Sequence, residues 1–257
     1  MKPLILSTLR RFGYDLVPSP GRNSLYGVLA NASRCGFTPL SVIDVGAGKG
    51  CFTREAHRLF PKCTSFLMIE PLDEFEPALK KLAAELPAAH LIKAVASDRA
   101  GTIVLNVHPD LFGSSLLRED EESDVNGVPR LVISTTLDIA ARDSKILPSH
   151  LLKLDVQGAE LQALSGATDL LHNCGLIILE TSFYHFFGDA PLFHDVVTWM
   201  AERGFLPYDM FGLAHRPLDG ALAQVDLVFV PKDSPLRKNH FYATAKQRES
   251  LTKRLRS

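Results

Sequence analysis

Ser41-Val42-Ile43-Asp44-Val45-Gly46-Ala47-Gly48-Lys49-Gly50 is the stretch that decides the fold of this chain. Val42, Ile43 and Val45 are β-branched and read as a buried strand. Gly46, Gly48 and Gly50 follow at once, removing side chains where the backbone must turn sharply and approach a ligand. Cys51 to Phe60 reads as the helix after that turn, and Ser65-Phe66-Leu67-Met68-Ile69 as a second strand closing on Glu70. The acid stands about twenty residues beyond the glycines, the separation expected of a carboxylate that holds ribose hydroxyls. Strand, glycine turn, helix, strand and acid together describe a crossover that binds a nucleoside.

The order of the glycines narrows the choice of nucleoside. A pyrophosphate loop has the order G-x-G-x-x-G, so that a helix N-terminus can face two phosphates. Here the order is D-x-G-x-G-x-G from Asp44 to Gly50, with an acid inside the strand end. That acid would repel a pyrophosphate and suits a cationic ligand. S-adenosylmethionine carries a sulfonium and an ammonium group and no phosphate, so the pattern matches it better than NAD.

At 257 residues the chain fits one α/β domain with short additions and can bury a sizeable core. Its 46% hydrophobic and 22% charged residues are those of an ordinary globular protein. A formal net charge of -1 gives no global basic field for nucleic acid. Cys35, Cys51, Cys63 and Cys174 lack C-x-x-C spacing and a neighbouring His cluster, and read as reduced, mostly buried thiols of a cytoplasmic protein. Leu4-Ile5-Leu6 is broken by Arg10-Arg11, so no signal peptide is expected, and no window has the length of a transmembrane helix.

Along the chain, residues 1 to 22 give a short helical start and a Pro18-Ser19-Pro20-Gly21 turn cluster. Asn23 or Ser24 is placed to cap a helix running to about Cys35. After the opening crossover come a helix over Glu74 to Glu85 and strands over His90 to Val95, Thr102 to Val107 and Leu131 to Thr135. A long polar stretch with Gly113-Ser114-Ser115 and an acidic run, Glu119 to Glu122, separates the last two and reads as a lid or a solvated loop. Leu151 to Asp155, Leu176 to Glu180, Phe205 to Met210 and Val225 to Val230 complete the strands, with helices over Ala159 to Leu164 and Phe193 to Arg203. Alternation of strand and helix predicts a mainly parallel sheet covered on both faces, ending in an antiparallel hairpin at one edge.

These residues resemble a known family, the FkbM-type methyltransferases, which have the Rossmann-like class I fold with a seven-stranded sheet. Val42 to Gly50 is similar to their first motif. Leu152-Lys153-Leu154-Asp155-Val156-Gln157-Gly158-Ala159-Glu160, continuing to Leu164-Ser165-Gly166-Ala167, is similar to the segment that most distinguishes them. Val225 to Val230 resembles their closing strand. The likeness covers about Leu25 to Val230 and implies a methyltransferase region over 36-231, between an N-terminal helical extension over 1-35 and a basic tail over 232-257. It further implies transfer of a methyl group from S-adenosylmethionine to a hydroxyl of a glycan or small metabolite; the charge balance and the absence of a long apolar window add the expectations of no nucleic-acid partner and no stable membrane insertion, with a homo-oligomer as an option. Two positions depart from the pattern. Many relatives have Asn where this chain has Lys49, and an acid where it has Gln157.

On this reading Asp44, Gly46, Ala47, Gly48 and Gly50 surround the methionine part of the cofactor. Glu70 holds the ribose, Pro71 and Leu72 lie near the adenine, and Ala96 and Ser97 border the base. Asp155 and Glu180 close parallel strands at the ligand edge of the sheet, and Asp155 also reads as a cap on the helix that follows. Lys153 lies in a buried strand and is expected to pair with Glu160, Glu180 or another acid. His185 is the expected base, because its unperturbed pKa of about 6.5 lets it accept a proton near neutrality. Two rivals stand beside this reading. In one, Asp155 and Glu180 hold Mg²⁺ against the acceptor oxygen; in the other, the chain is a cofactor-binding subunit without chemistry. The basic segment with Lys246, Arg248, Lys253, Arg254 and Arg256 reads as a solvated helix, or as a contact to an anionic lipid or phosphorylated acceptor.

Overall fold

A computed structural model of the protein describes residues 21–119 and 126–256. The expected turn at Pro18 to Pro20 and most of the acidic run after Glu119 lie outside those residues. In chain order the elements are α1 (Leu25–Arg34), β1 (Ser41–Val45), α2 (Cys51–Leu59), β2 (Ser65–Ile69), α3 (Glu76–Glu85), β3 (Ala89–Ile92), β4 (Val95–Ala96), β5 (Gly101–Val107) and β6 (Val128–Thr135). They continue with α4 (Leu137–Asp143), β7 (His150–Leu154), α5 (Glu160–Ser165), α6 (Thr168–Leu171), β8 (Cys174–Ser182), α7 (Phe193–Glu202), β9 (Phe205–His215), β10 (Leu222–Pro231) and α8 (Ala245–Arg256).

Seven strands form one sheet in the order β3-β2-β1-β7-β8-β10-β9. The first five are parallel, and β10 runs antiparallel between β8 and β9. The chain winds outward from β1 through β2 to β3, then returns to lay β7 on the other side of β1. The switch point between β1 and β7 is therefore where a ligand crevice opens. Because β10 is antiparallel, it carries the chain to the opposite edge of the sheet, where Lys232 N donates to Gly204 O and Arg237 Nη1 to Pro207 O.

Side-chain alternation splits the core into two layers. Val42, Phe66, Met68, Leu151 and Ile178 face α1, α2 and α3, whereas Ile43, Leu67, Ile69, Leu152 and Ile177 face α4 to α7. Buried β-branched and leucine side chains of this kind contribute about 1.5–3 kcal/mol each. Ser24 caps α1, its Oγ accepting from Gly27 N at 3.1 Å, and Val28, Leu29 and Ala32 of that helix are fully buried.

Three features differ from the sequence expectation. The strand expected over His90 to Val95 breaks into β3 and β4. β5 and β6 leave the main sheet and pair antiparallel in a second sheet of order β4-β6-β5. Their outer face is open, Leu131 and Ile133 being 74% and 65% exposed, a pattern suited to an antiparallel sheet with one wet face and not to a doubly covered parallel one. Two of the four cysteines, Cys35 and Cys51, are exposed, and all four are free thiols. Among the described residues no helix is long and apolar enough to cross a membrane. α8 carries exposed Lys246, Arg248 and Lys253, the last paired with Glu249 at 2.7 Å; the side chains of Arg254 and Arg256 lie outside the described residues.

Candidate active site

A cleft open to solvent lies where β1, β2, β7 and β8 end, across the switch point. Gly46, Gly48, Glu70, Pro71, Leu72, Ala96, Asp155 and Glu180 line it. Asp44, Ala47, Gly50, Ser97 and His185 do not.

The glycine turn is built by close approach of backbone to backbone. Gly46 sits at φ +73°, and a Cβ there would collide with the carbonyl oxygen of Asp155, so only glycine lets the ends of β1 and β7 meet. Gly50, at φ +74°, faces Leu79 and Leu82 of α3 and serves helix packing. Glu70 is 6% exposed and is held by the turn itself: Gly48 N donates to Oε2 at 2.8 Å and Leu72 N to Oε1 at 3.0 Å. Burial pushes its carboxyl above the usual range, against those two bonds.

Asp44 points away from the cleft. Its Oδ2 accepts from Thr53 Oγ1 at 2.7 Å and Thr53 N at 3.3 Å, fixing the first turn of α2. Burial raises its pKa, partly offset by Lys153 and Thr53. Ser97, also fully buried, donates to Asp98 Oδ1 at 2.9 Å and accepts from Gln162 Nε2 at 3.0 Å.

The other end of the cleft is acidic. Alternation puts Lys153, Asp155, Glu180 and Asp226 on the α2 face of neighbouring strands, with Lys153 in register with Asp44 and Asp226 with Glu180. Lys153 Nζ donates to Asp155 Oδ2 at 2.7 Å, and lies 5.9 Å from the Phe52 ring centre. Burial works against its charge, yet Asp155 and Asp44 outweigh burial and hold its pKa above the ordinary value. Burial and then the charges of Asp155, Glu160 and Asp226 push Glu180 up to about 8. Burial also takes Glu160 to about 7, although Val156 N donates to its Oε1 at 3.0 Å, and takes Asp226 to about 6.

Gln157 ties this end together. Its Nε2 donates to Asp155 Oδ1 and to Glu180 Oε2, both at 3.0 Å, while Gln224 Nε2 donates to the same Glu180 oxygen at 2.9 Å. Ser115 Oγ donates to Gln157 O at 2.7 Å, anchoring the segment after β5. That segment forms one wall through Leu111, Phe112, Ser114 and Leu116, with Phe112 5.1 Å from Phe75 between ring centres. Among the described residues no three acid, His or Cys side chains converge on a metal position.

His185 is exposed, in an aromatic loop beyond β8. Sequence reasoning did not single out Ser115, Gln224 or Asp226 as site residues. The alternation of β10 carries a signal for Gln224 and Asp226, since both interrupt an apolar strand at the parity of Val228; for Ser115 there is none.

A doubly wound sheet with its glycine turn and Glu70 facing one crevice at the switch point has the Rossmann-like architecture of class I methyltransferases. A family model described as the methyltransferase FkbM domain matches residues 44–207, a narrower span than the likeness read from sequence. The chain belongs to this FkbM methyltransferase family. Among solved structures it is similar to a methyltransferase FkbM from Methylobacillus flagellatus KT, at 17% identity and TM-score 0.47, covering 74% of this chain and 43% of that one. It is also similar to a precorrin-6y C5,15-methyltransferase from Geobacter metallireducens GS-15, at 13% identity and TM-score 0.43, covering 80% and 87%. A ribosomal protein L11 methylase from Lactobacillus delbrueckii subsp. bulgaricus is similar at 18% identity and TM-score 0.41, covering 83% and 82%. This chain thus spans less than half the length of the Methylobacillus chain. Among curated proteins no sequence matches it.

Proposed function

We propose that the chain moves a methyl group from S-adenosylmethionine to a hydroxyl oxygen of a small molecule or glycan, with Glu180 as the base. The observation that carries this reading is one cleft holding Glu70 at its nucleoside end and the Asp155–Glu180 pair at the other. The residues present fit the donor. Glu70 offers a carboxylate to ribose hydroxyls, Leu72, Phe75 and Val95 offer an apolar wall to adenine, and Gly46 and Gly48 leave room for the methionine part. When bound, the donor supplies a methyl carbon already activated by its positive sulfur.

The chain's own residues then have three tasks. The apolar wall and the Phe112 segment exclude water and align the acceptor for in-line attack. Glu180 takes the hydroxyl proton on a carboxylate oxygen as the new oxygen–carbon bond forms, and the bonding pair of the broken sulfur–carbon bond stays with sulfur. Lys153 holds Asp155 in place beside it through their 2.7 Å contact. Glu180 suits this task better than His185, because it lines the cleft and its raised pKa makes its ionised form a stronger base.

Labelled S-adenosylmethionine incubated with the protein and fractionated cell extract tests the reading. A labelled product whose methyl sits on oxygen is expected. Tight S-adenosylhomocysteine binding with no product in any fraction would instead favour a binding subunit, and a methyl on nitrogen or carbon would exclude hydroxyl transfer.

A further inference from the structure

We propose that Gln157 is a positioning residue that bridges Asp155 and Glu180 in the place a divalent cation would take, so that proton removal needs no metal. The inference rests on the methyl-transfer reading above, but its geometry stands alone.

Both bonds from Gln157 Nε2 are 3.0 Å long, so Asp155 Oδ1 and Glu180 Oε2 stand less than about 6 Å apart, with the nitrogen between them. A Mg²⁺ shared by the two oxygens would take the same place between them, but with contacts of about 2.0–2.1 Å it would have to draw them to within about 4.2 Å of each other. The amide nitrogen has two hydrogens, one for each carboxylate. The reverse orientation would aim the amide oxygen at two acids, so the network fixes which end faces them. The backbone is fixed too: Gln157 takes the left-handed φ of +52°, and its carbonyl is held by Ser115 Oγ at 2.7 Å. A bridging amide lets two acids share one site at a lower cost than bare repulsion, without the geometric demands of Mg²⁺.

The groups facing Glu180 are Lys153 from β7 and Asp155 just after it, Glu160 from α5, and Asp226 and Gln224 from β10. Of its two amide donors, Gln157 alone also reaches Asp155.

The test uses the full chain without acceptor. Carbon-13 carboxylate titration by NMR reads the midpoint of Glu180 in the wild type and in Gln157→Ala. Losing a hydrogen bond to the ionised form should move that midpoint up by about one pH unit. Mn²⁺ titration followed by electron paramagnetic resonance should show no uptake by the wild type and uptake by Gln157→Glu, which adds a third carboxylate of the same reach. Calorimetry with S-adenosylhomocysteine on each variant separates the two readings. If the wild type fails to bind it, methyl transfer falls while the bridge is still judged by the titrations. An unchanged Glu180 midpoint in Gln157→Ala overturns the bridge. So does wild-type Mn²⁺ uptake that Glu180→Gln abolishes, or a Gln157→Glu protein that takes up none.

Discussion

Glu70 holds two backbone N–H groups of the glycine turn and still lines the cleft, so its variants separate turn from ligand. Glu70→Gln keeps an acceptor oxygen for one of those groups and loses the charge. Hydrogen bonds to a charged group contribute about 1.5–3 kcal/mol, so S-adenosylhomocysteine affinity is expected to fall about tenfold or more by calorimetry, with the melting temperature lowered by a few degrees because the other N–H then faces an amide NH₂. Unchanged affinity would put the ribose elsewhere. At the other end, Glu180→Gln should lower turnover by about 10²–10⁴ and erase the rise in rate up to about pH 8 that is expected of the wild type. His185→Ala, in an exposed loop, should keep both turnover and profile; a lost pH limb in that variant would return the base to His185. At this scale the sequence was legible wherever an acid closes an apolar run, as at Glu70, Asp155 and Glu180. Asp44 was harder. It stands one position before the strand end, so alternation turns it under α2 and onto Thr53. Gln157 was marked only as a departure from the acid of many relatives; that its amide bridges Asp155, two residues before it, and Glu180, on the next strand, is visible only in the fold.

The turn between β1 and α2 is where element geometry is least forgiving. Gly46→Ala must accept both a positive φ and a collision with the Asp155 carbonyl, and is expected to cost about 2–4 kcal/mol in urea unfolding. A loss under about 1 kcal/mol would mean that β7 can shift to make room. β1, β2, β7 and β8 were legible because strands buried on both faces are short, mostly apolar runs, here interrupted by few polar residues such as Asp44 in β1 and Lys153 in β7. β5 and β6 looked the same by composition, yet they sit in a separate sheet. Their partners are set by the short link from β4 and by a wet outer face, neither of which a single strand reveals. α4 has only seven residues, too few for a helical period to stand out. The segment after β5 was read as a lid or a loop; its described part is a wall of the cleft, because Asn106 Nδ2 and Ser115 Oγ fasten it to its surroundings.

Across the whole molecule, the buried acids set how stability responds to pH. Glu180, Glu160 and Asp226 titrate at about 8, 7 and 6 in the folded protein, all above their ordinary values of 4.5, 4.5 and 3.8. Between those ordinary values and about pH 8 the folded state keeps protons that the unfolded chain has released, so unfolding free energy falls as pH rises and levels off above that window. The melting temperature should therefore drop from about pH 5 to pH 8, and Glu180→Gln should flatten the upper part of the slope. A melting temperature that climbs through this window would contradict the buried, protonated acids. The direction of β10 has a practical corollary. A linker coupled at exposed Lys238 departs from the rim opposite the cleft, where its neighbour Arg237 grips Pro207. A biosensor surface or affinity resin coupled there would hold the molecule with its mouth toward the flowing sample, so donor and acceptor could be washed over it in turn without a bead in the way.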